Sequence, residues 1–254
     1  MVEILWPTSA TGLAEMMLMK RTIFAALAFA TVSAALAGNV SATYATTLRK
    51  SVDFEWIYSA GKQTQSTVKY EATRTGGSDT RLSSKYLAYC TEIGEFINAG
   101  VNTHDVYDLA GGVTNSGGST GPVTFNATRT GRVEKLYGSF LSQTTNADKS
   151  AAFQLALWEL AFDNDATLLN KNTAGGKMWG VDRDTSTSGI QLDAVSTIAE
   201  GWLRDIRTGA ATQTQQLLLL SSKGTQDLVT PVPEPATMAA LGLGIAAVLR
   251  RRKK

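Results

Sequence analysis

Two residues stand out for the chemistry they could do. The chain has a single cysteine, Cys90. A lone thiol outside the cytoplasm points either to an intermolecular bond or to a side chain used chemically. The second residue is Gln154, inside the apolar run DKSAAFQLALWELAF at residues 148–162. Its neighbours at helical spacing are Ala151, Leu157, Trp158 and Ala161, so a helix here buries its carboxamide. A buried carboxamide without partners costs roughly 1–3 kcal/mol, so Gln154 is either hydrogen-bonded or there to react. A thiol and a side-chain amide are the two partners of an internal thioester. The sulfur attacks the carbonyl, ammonia leaves, and the acyl thioester that remains can transfer to an amine. Such a bond lasts in water only behind walls, and Tyr89, Phe153 and Trp158 are the candidate walls.

The ends of the chain place this chemistry outside the cell. Met19-Lys20-Arg21 precedes an apolar stretch at residues 22–36, and Ala35-Leu36-Ala37 and Val40-Ser41-Ala42 are small-residue cleavage sites. Residues 1–42 therefore read as a signal-peptide region, with translation expected to begin at Met19, or at Met16 or Met17. At the other end, Val232-Pro233-Glu234-Pro235 is a stiff, extended segment. An uncharged apolar run follows at residues 236–249, then Arg250, Arg251, Arg252, Lys253 and Lys254. Apolar run and cations together form a stop-transfer pattern, at the short end for a membrane-spanning helix.

These residues carry two resemblances. The string PVPEPATMAALGLGIAAVLRRRKK resembles the PEP-CTERM sorting signals of Gram-negative bacteria, with Pro233, Glu234 and Pro235 as the motif. This implies export through the Sec translocon, processing by an exosortase at the inner membrane, and delivery to the cell surface or extracellular matrix. The second covers Tyr89-Cys90-Thr91-Glu92 with Ala151-Ala152-Phe153-Gln154-Leu155-Ala156-Leu157-Trp158-Glu159. Together they resemble the Cys-Gln thioester domains of bacterial surface proteins, which pair an aromatic-Cys-x-acid strand with a helix reading roughly Gln-x-Ala-aliphatic-Trp. Thr91 departs from that pattern, where the family often has an aliphatic residue. The resemblance implies a self-modifying, adhesin-like binding module and not a turnover enzyme. Its partners would be surface amines or hydroxyls in a biofilm or on a neighbouring cell, with no cofactor.

The elements that must position these residues read as an α+β, strand-rich domain over residues 43–230, followed by the tail at 231–254. Val52, Phe54, Trp56 and Tyr58 alternate with polar neighbours, and residues 67–73 and 85–92 also read as strands. In the last of these, Tyr86, Ala88 and Cys90 share one face and Leu87 and Tyr89 the other. Helices are expected at 132–141, at 148–162 with Asn146 or Thr145 as N-cap, and at 190–207. Closing strands are expected at 214–220 and 227–230.

Composition narrows the alternatives. Without the leader and tail, residues 43–233 hold 17 basic and 19 acidic side chains, so the formal net charge of +2 for the whole chain belongs to its ends. There is no basic stripe for nucleic acid. Asp163, Asp165, Asp182 and Asp184 lie in polar loops but lack the Gly and Glu positions of an EF-hand loop, so no metal is expected. Two rivals remain. One is a structural matrix protein with no covalent chemistry. The other is a cysteine hydrolase using His104, the only histidine, beside Asp105.

Overall fold

The computed structural model describes residues 38–56, 62–114, 122–163, 165–169, 178–180 and 192–233. The chain divides into two units, residues 1–36 and 37–254, and every described residue belongs to the second. Its elements are β1 (Gly38–Trp56), β2 (Lys62–Gly76), β3 (Lys85–Cys90), β4 (Val101–Asp108), α1 (Ala127–Phe140), α2 (Ala147–Phe162), β5 (Met178–Gly180), α3 (Ala194–Thr208), β6 (Leu217–Ser221) and β7 (Leu228–Pro231).

The strand pairing closes on itself. β1 pairs with β2, β2 with β3, β3 with β7, β7 with β6, β6 with β4, and β4 returns to the first residues of β1, every pair antiparallel. The ring closes only where the strands overlap: among the described residues, 44–53 of β1 and 62–69 of β2 pair with each other and on their other side with no strand. β5 adds to the far end of β1 through Phe54 and Trp56. This is the expected strand-rich α+β class.

Alternation along the strands sorts side chains into two cores. Val40, Ala42, Tyr86, Ala88, Cys90, Val106, Leu218, Leu220 and Leu228 form one cluster. Tyr89, Leu217, Leu219 and Val229 point the opposite way, into a larger cluster shared with the helices. Val52 and Phe54 also join the helix-side cluster, although Val40 and Ala42 of the same strand lie in the other. The cause is a register shift between Thr46 and Leu48. One extra residue in a strand of period two moves everything after it to the opposite face.

α2 is the helix the apolar run predicts, one residue longer at its start. The Asn146 side chain caps it by accepting from the Lys149 N–H at 2.9 Å, and Asp148 occupies the first turn, near the positive end of the dipole. Every residue from Ser150 to Phe162 is buried, because the helix packs on β1, β2, α1 and α3 together. α1 begins earlier than its apolar spacing suggests, since Asn126 caps it on the Arg129 N–H. α3 buries Val195, Ala199, Trp202, Leu203 and Ile206, and Trp202 stacks on Phe140 with ring centroids 5.2 Å apart. Gly209 ends α3 in the left-handed conformation, φ 81°. The sequence pattern does not reveal β4 as a strand, because its inward positions include Asn102 and His104 as well as Val106.

No helix among the described residues is long and apolar enough to cross a membrane. The expected C-terminal membrane helix, with Glu234, Pro235 and the five terminal cations, lies outside the described residues, as does the signal region before Gly38. Pro233 is exposed, two residues beyond the end of β7.

Candidate functional site

Cys90 is the last residue of β3, paired with Leu228 of β7. Beyond it the two chains stay joined, as the Thr91 N–H and hydroxyl both donate to the Asp227 carbonyl at 3.0 Å. This ladder draws the segment before β7 against Cys90.

Gln154 reaches Cys90 through the backbone. Its Oε1 accepts from the Cys90 N–H at 3.0 Å and its Nε2 donates to the Cys90 carbonyl at 2.7 Å. The carboxamide thus copies the pattern of a neighbouring strand and answers both main-chain groups of a buried residue. The sulfur points elsewhere. Cys90 Sγ donates to Gln226 Oε1 at 2.8 Å. A carbonyl carbon lies about 1.23 Å from its oxygen. The Gln226 acyl carbon is therefore within about 4.0 Å of the sulfur. The thiol is hydrogen-bonded to the Gln226 amide, and the Gln154 amide is hydrogen-bonded to the Cys90 main chain.

Gln226 is itself immobilised. Its Nε2 donates to the Glu92 carbonyl at 3.0 Å, its N–H to the Phe96 carbonyl at 3.4 Å, and its own carbonyl accepts from His104 Nε2 at 3.1 Å. Because that carbonyl can only accept, Nε2 carries the imidazole proton and Nδ1 accepts from the Tyr44 hydroxyl at 3.3 Å. Tyr44 in turn accepts from the Tyr86 hydroxyl at 3.2 Å. A neutral histidine thus ends a buried chain of hydrogen bonds on the Gln226 backbone. His104 is fully buried in β4, not on an exposed loop, and both its ring nitrogens are engaged away from the thiol. The Cys90–His104 dyad that a hydrolase would need is not formed.

Burial sets the electrostatics. It pushes the Cys90 thiol well above its usual range, and the Glu92 carboxylate adds to the rise. The Tyr70 hydroxyl hydrogen-bonds the Cys90 side chain and acts in the opposite direction. Burial, with Asp227 beside it, raises the Glu92 carboxyl to about 9. Glu92 Oε2 accepts from the Asp227 N–H at 3.1 Å, and a side-chain hydrogen bond with Glu95 adds to the rise. Burial also lowers the His104 pKa, which keeps the ring neutral.

A cavity of about 140 Å³ opens on the thiol, lined by Arg49, Tyr70, Glu95, Phe96, Trp158 and Gln226 among others. That is room for a few water molecules or a small nucleophile. Of the three expected walls, Trp158 lines this space. Tyr89 and Phe153 face the helix-side core, their rings 4.7 Å apart, and back the strand on the side away from the sulfur. Sequence reasoning misses Gln226 because it follows the polar run SSKGT, which carries no signal of burial. Only the pairing of β7 with β3 brings it to Cys90.

Residues 231–253 match the PEP-CTERM protein-sorting motif. No curated protein and no solved structure matches the chain. β7 ends at Pro231, the first residue of the matched segment, and this sorting motif implies an exported protein handled by exosortase at the membrane.

Proposed function

We propose that the exported domain forms an internal thioester between Cys90 and Gln226, and uses it to attach covalently to amine or hydroxyl groups at the cell surface or in the extracellular matrix. The observation that carries this reading is the contact of 2.8 Å between the only thiol of the chain and the Gln226 carboxamide. In the first step the sulfur bonds to the acyl carbon and the C–N bond breaks. The thiol proton passes to the departing nitrogen, which leaves as ammonia. In the second step a nucleophile bonds to the same carbon, the C–S bond breaks, and the thiol is restored. Gln154 orients the nucleophile by holding the Cys90 backbone, and Glu92 and His104 orient the acyl donor. Cys90 and Gln226 are each only 4% exposed, so water and nucleophiles reach the bond through the small cavity beside it.

A second reading has an observation of its own. A buried, protonated thiol hydrogen-bonded to an amide is also what an inert structural cysteine looks like. The intact mass of the exported protein under non-reducing conditions separates the two. The thioester gives a mass short by one ammonia, a deficit that disappears in Cys90→Ala and Gln226→Ala once the substitution itself is allowed for. Methylamine converts the bond to an adduct. A full mass, with no adduct after methylamine, would leave the structural reading.

A further inference from the structure

We infer that Tyr70 is a catalytic residue of acyl transfer, its hydroxyl giving the proton that lets the Cys90 sulfur leave when a nucleophile breaks the thioester. This rests on the Cys90–Gln226 reading and adds a proton donor to it.

The sheet places the hydroxyl. Tyr70 of β2 pairs with Ala88 of β3, so Cys90, two residues on, lies diagonally across from it on the same face. Diagonal neighbours sit about 7–8 Å apart, a gap that an aromatic side chain spans. Tyr70, Ala88 and Cys90 accordingly share one buried cluster, and the Tyr44 ring packs edge-on against Tyr70 at 6.0 Å. The Tyr70 hydroxyl hydrogen-bonds the Cys90 side chain. Its direction follows from the proton of the thiol, which is given to Gln226 Oε1 at 2.8 Å. Sulfur is left to accept from Tyr70 through a lone pair, which it keeps in the thioester. Tyr70, Cys90 and Gln226 line the same cavity of about 140 Å³. A nucleophile small enough to enter therefore stands beside the acyl carbon and the hydroxyl together.

Burial makes the proton necessary. Desolvation pushes the Cys90 thiol well above its usual range, so a bare thiolate leaves poorly here. Desolvation raises Tyr70 as well, which keeps the phenol protonated and able to donate. His104 cannot take this part, because both its ring nitrogens are engaged elsewhere. As the nucleophile bonds to the acyl carbon, the C–S bond breaks and its electron pair goes to sulfur. The Tyr70 proton follows that pair and restores the thiol. The nucleophile must shed a proton to end as a neutral amide or ester, and this proton returns to the Tyr70 oxygen through the cavity. One proton leaves the nucleophile, one reaches sulfur, and Tyr70 ends as it began.

The exported protein and its Tyr70→Phe variant are treated with methylamine, and intact mass follows the adduct with time. The variant keeps the ring and loses the hydroxyl. It should still show the ammonia deficit, because the finished thioester carries no proton on sulfur. Its adduct should form about 100-fold more slowly, at the low end of general acid catalysis. A purely structural role gives the opposite sign, since a gap beside the bond admits the nucleophile more easily. A variant that reacts within about 3-fold of wild type, or faster, overturns the inference and leaves the thioester standing. So does a folded variant of full mass, which would move Tyr70 to the step that forms the bond. A wild type of full mass with no adduct removes the thioester reading itself, and this inference with it. Should Tyr70→Phe fail to fold, the wild type in D2O decides. An adduct rate equal to that in water means that no proton moves as the bond breaks, and overturns the assignment.

Discussion

Gln154→Ala is the substitution that most sharply divides the two roles a buried amide can have here. The change strands the Cys90 N–H and the Cys90 carbonyl, which the wild-type side chain answers at 3.0 and 2.7 Å. Each unsatisfied buried group costs about 1–3 kcal/mol, so the expected loss is about 2–6 kcal/mol. Against a typical total of about 5–15 kcal/mol this is large enough to read in urea unfolding. Gln154→Glu refines the measurement. Its carboxylate can still accept from the Cys90 N–H, but an oxygen then faces the Cys90 carbonyl and must be protonated to donate. That requirement raises the folded pKa of the new carboxyl above the usual value of about 4.3. The variant therefore approaches wild-type stability below that pH and falls behind as pH rises through the folded pKa. Ammonia loss should persist in the folded fraction of Gln154→Ala and vanish in Gln226→Ala. Two results would refute the reasoning: stability of Gln154→Ala within about 0.5 kcal/mol of wild type, or ammonia loss that depends on Gln154 and survives without Gln226.

Glu92 makes a separate pH prediction. With its carboxyl raised from 4.5 to about 9, the folded protein keeps a proton that the unfolded chain releases. The stabilisation is complete below pH 4.5 and lost as pH rises through about 9. Denaturant curves of Glu92→Gln should lack this decline, and an identical slope in variant and wild type would contradict the burial argument. Two glycines of α1 should respond in opposite directions. A Cβ on Gly138 would meet the Gln213 backbone at 2.6 Å, so Gly138→Ala should lower stability by about 1–3 kcal/mol. Nothing lies within 4 Å of a Cβ on Gly131, so Gly131→Ala should raise it by about 0.4–1 kcal/mol, both read as changes in unfolding midpoint.

Local patterns are legible in the residues themselves. The apolar run of α2 with its Asn146 cap, the alternation that puts Cys90 and Tyr89 on opposite faces, and the sorting motif at residues 231–253 are properties of neighbouring residues, so the sequence determines them alone. It also marks Gln154 as a buried amide needing partners, which is correct, and directs it to Cys90, whose main chain it does hold. What only the tertiary structure decided is which amide meets the thiol. Cys90 and Gln226 are 136 residues apart, and Gln226 looks like a solvated loop residue until β7 pairs with β3. His104 shows the same limit: its burial depends on the return of β4 to β1 and β6. Periodicity reports the face a residue presents, and burial of polar side chains depends on contacts that closing the ring of strands creates. For this protein the sequence named the candidate thiol and its destination, and the strand order chose the amide beside it.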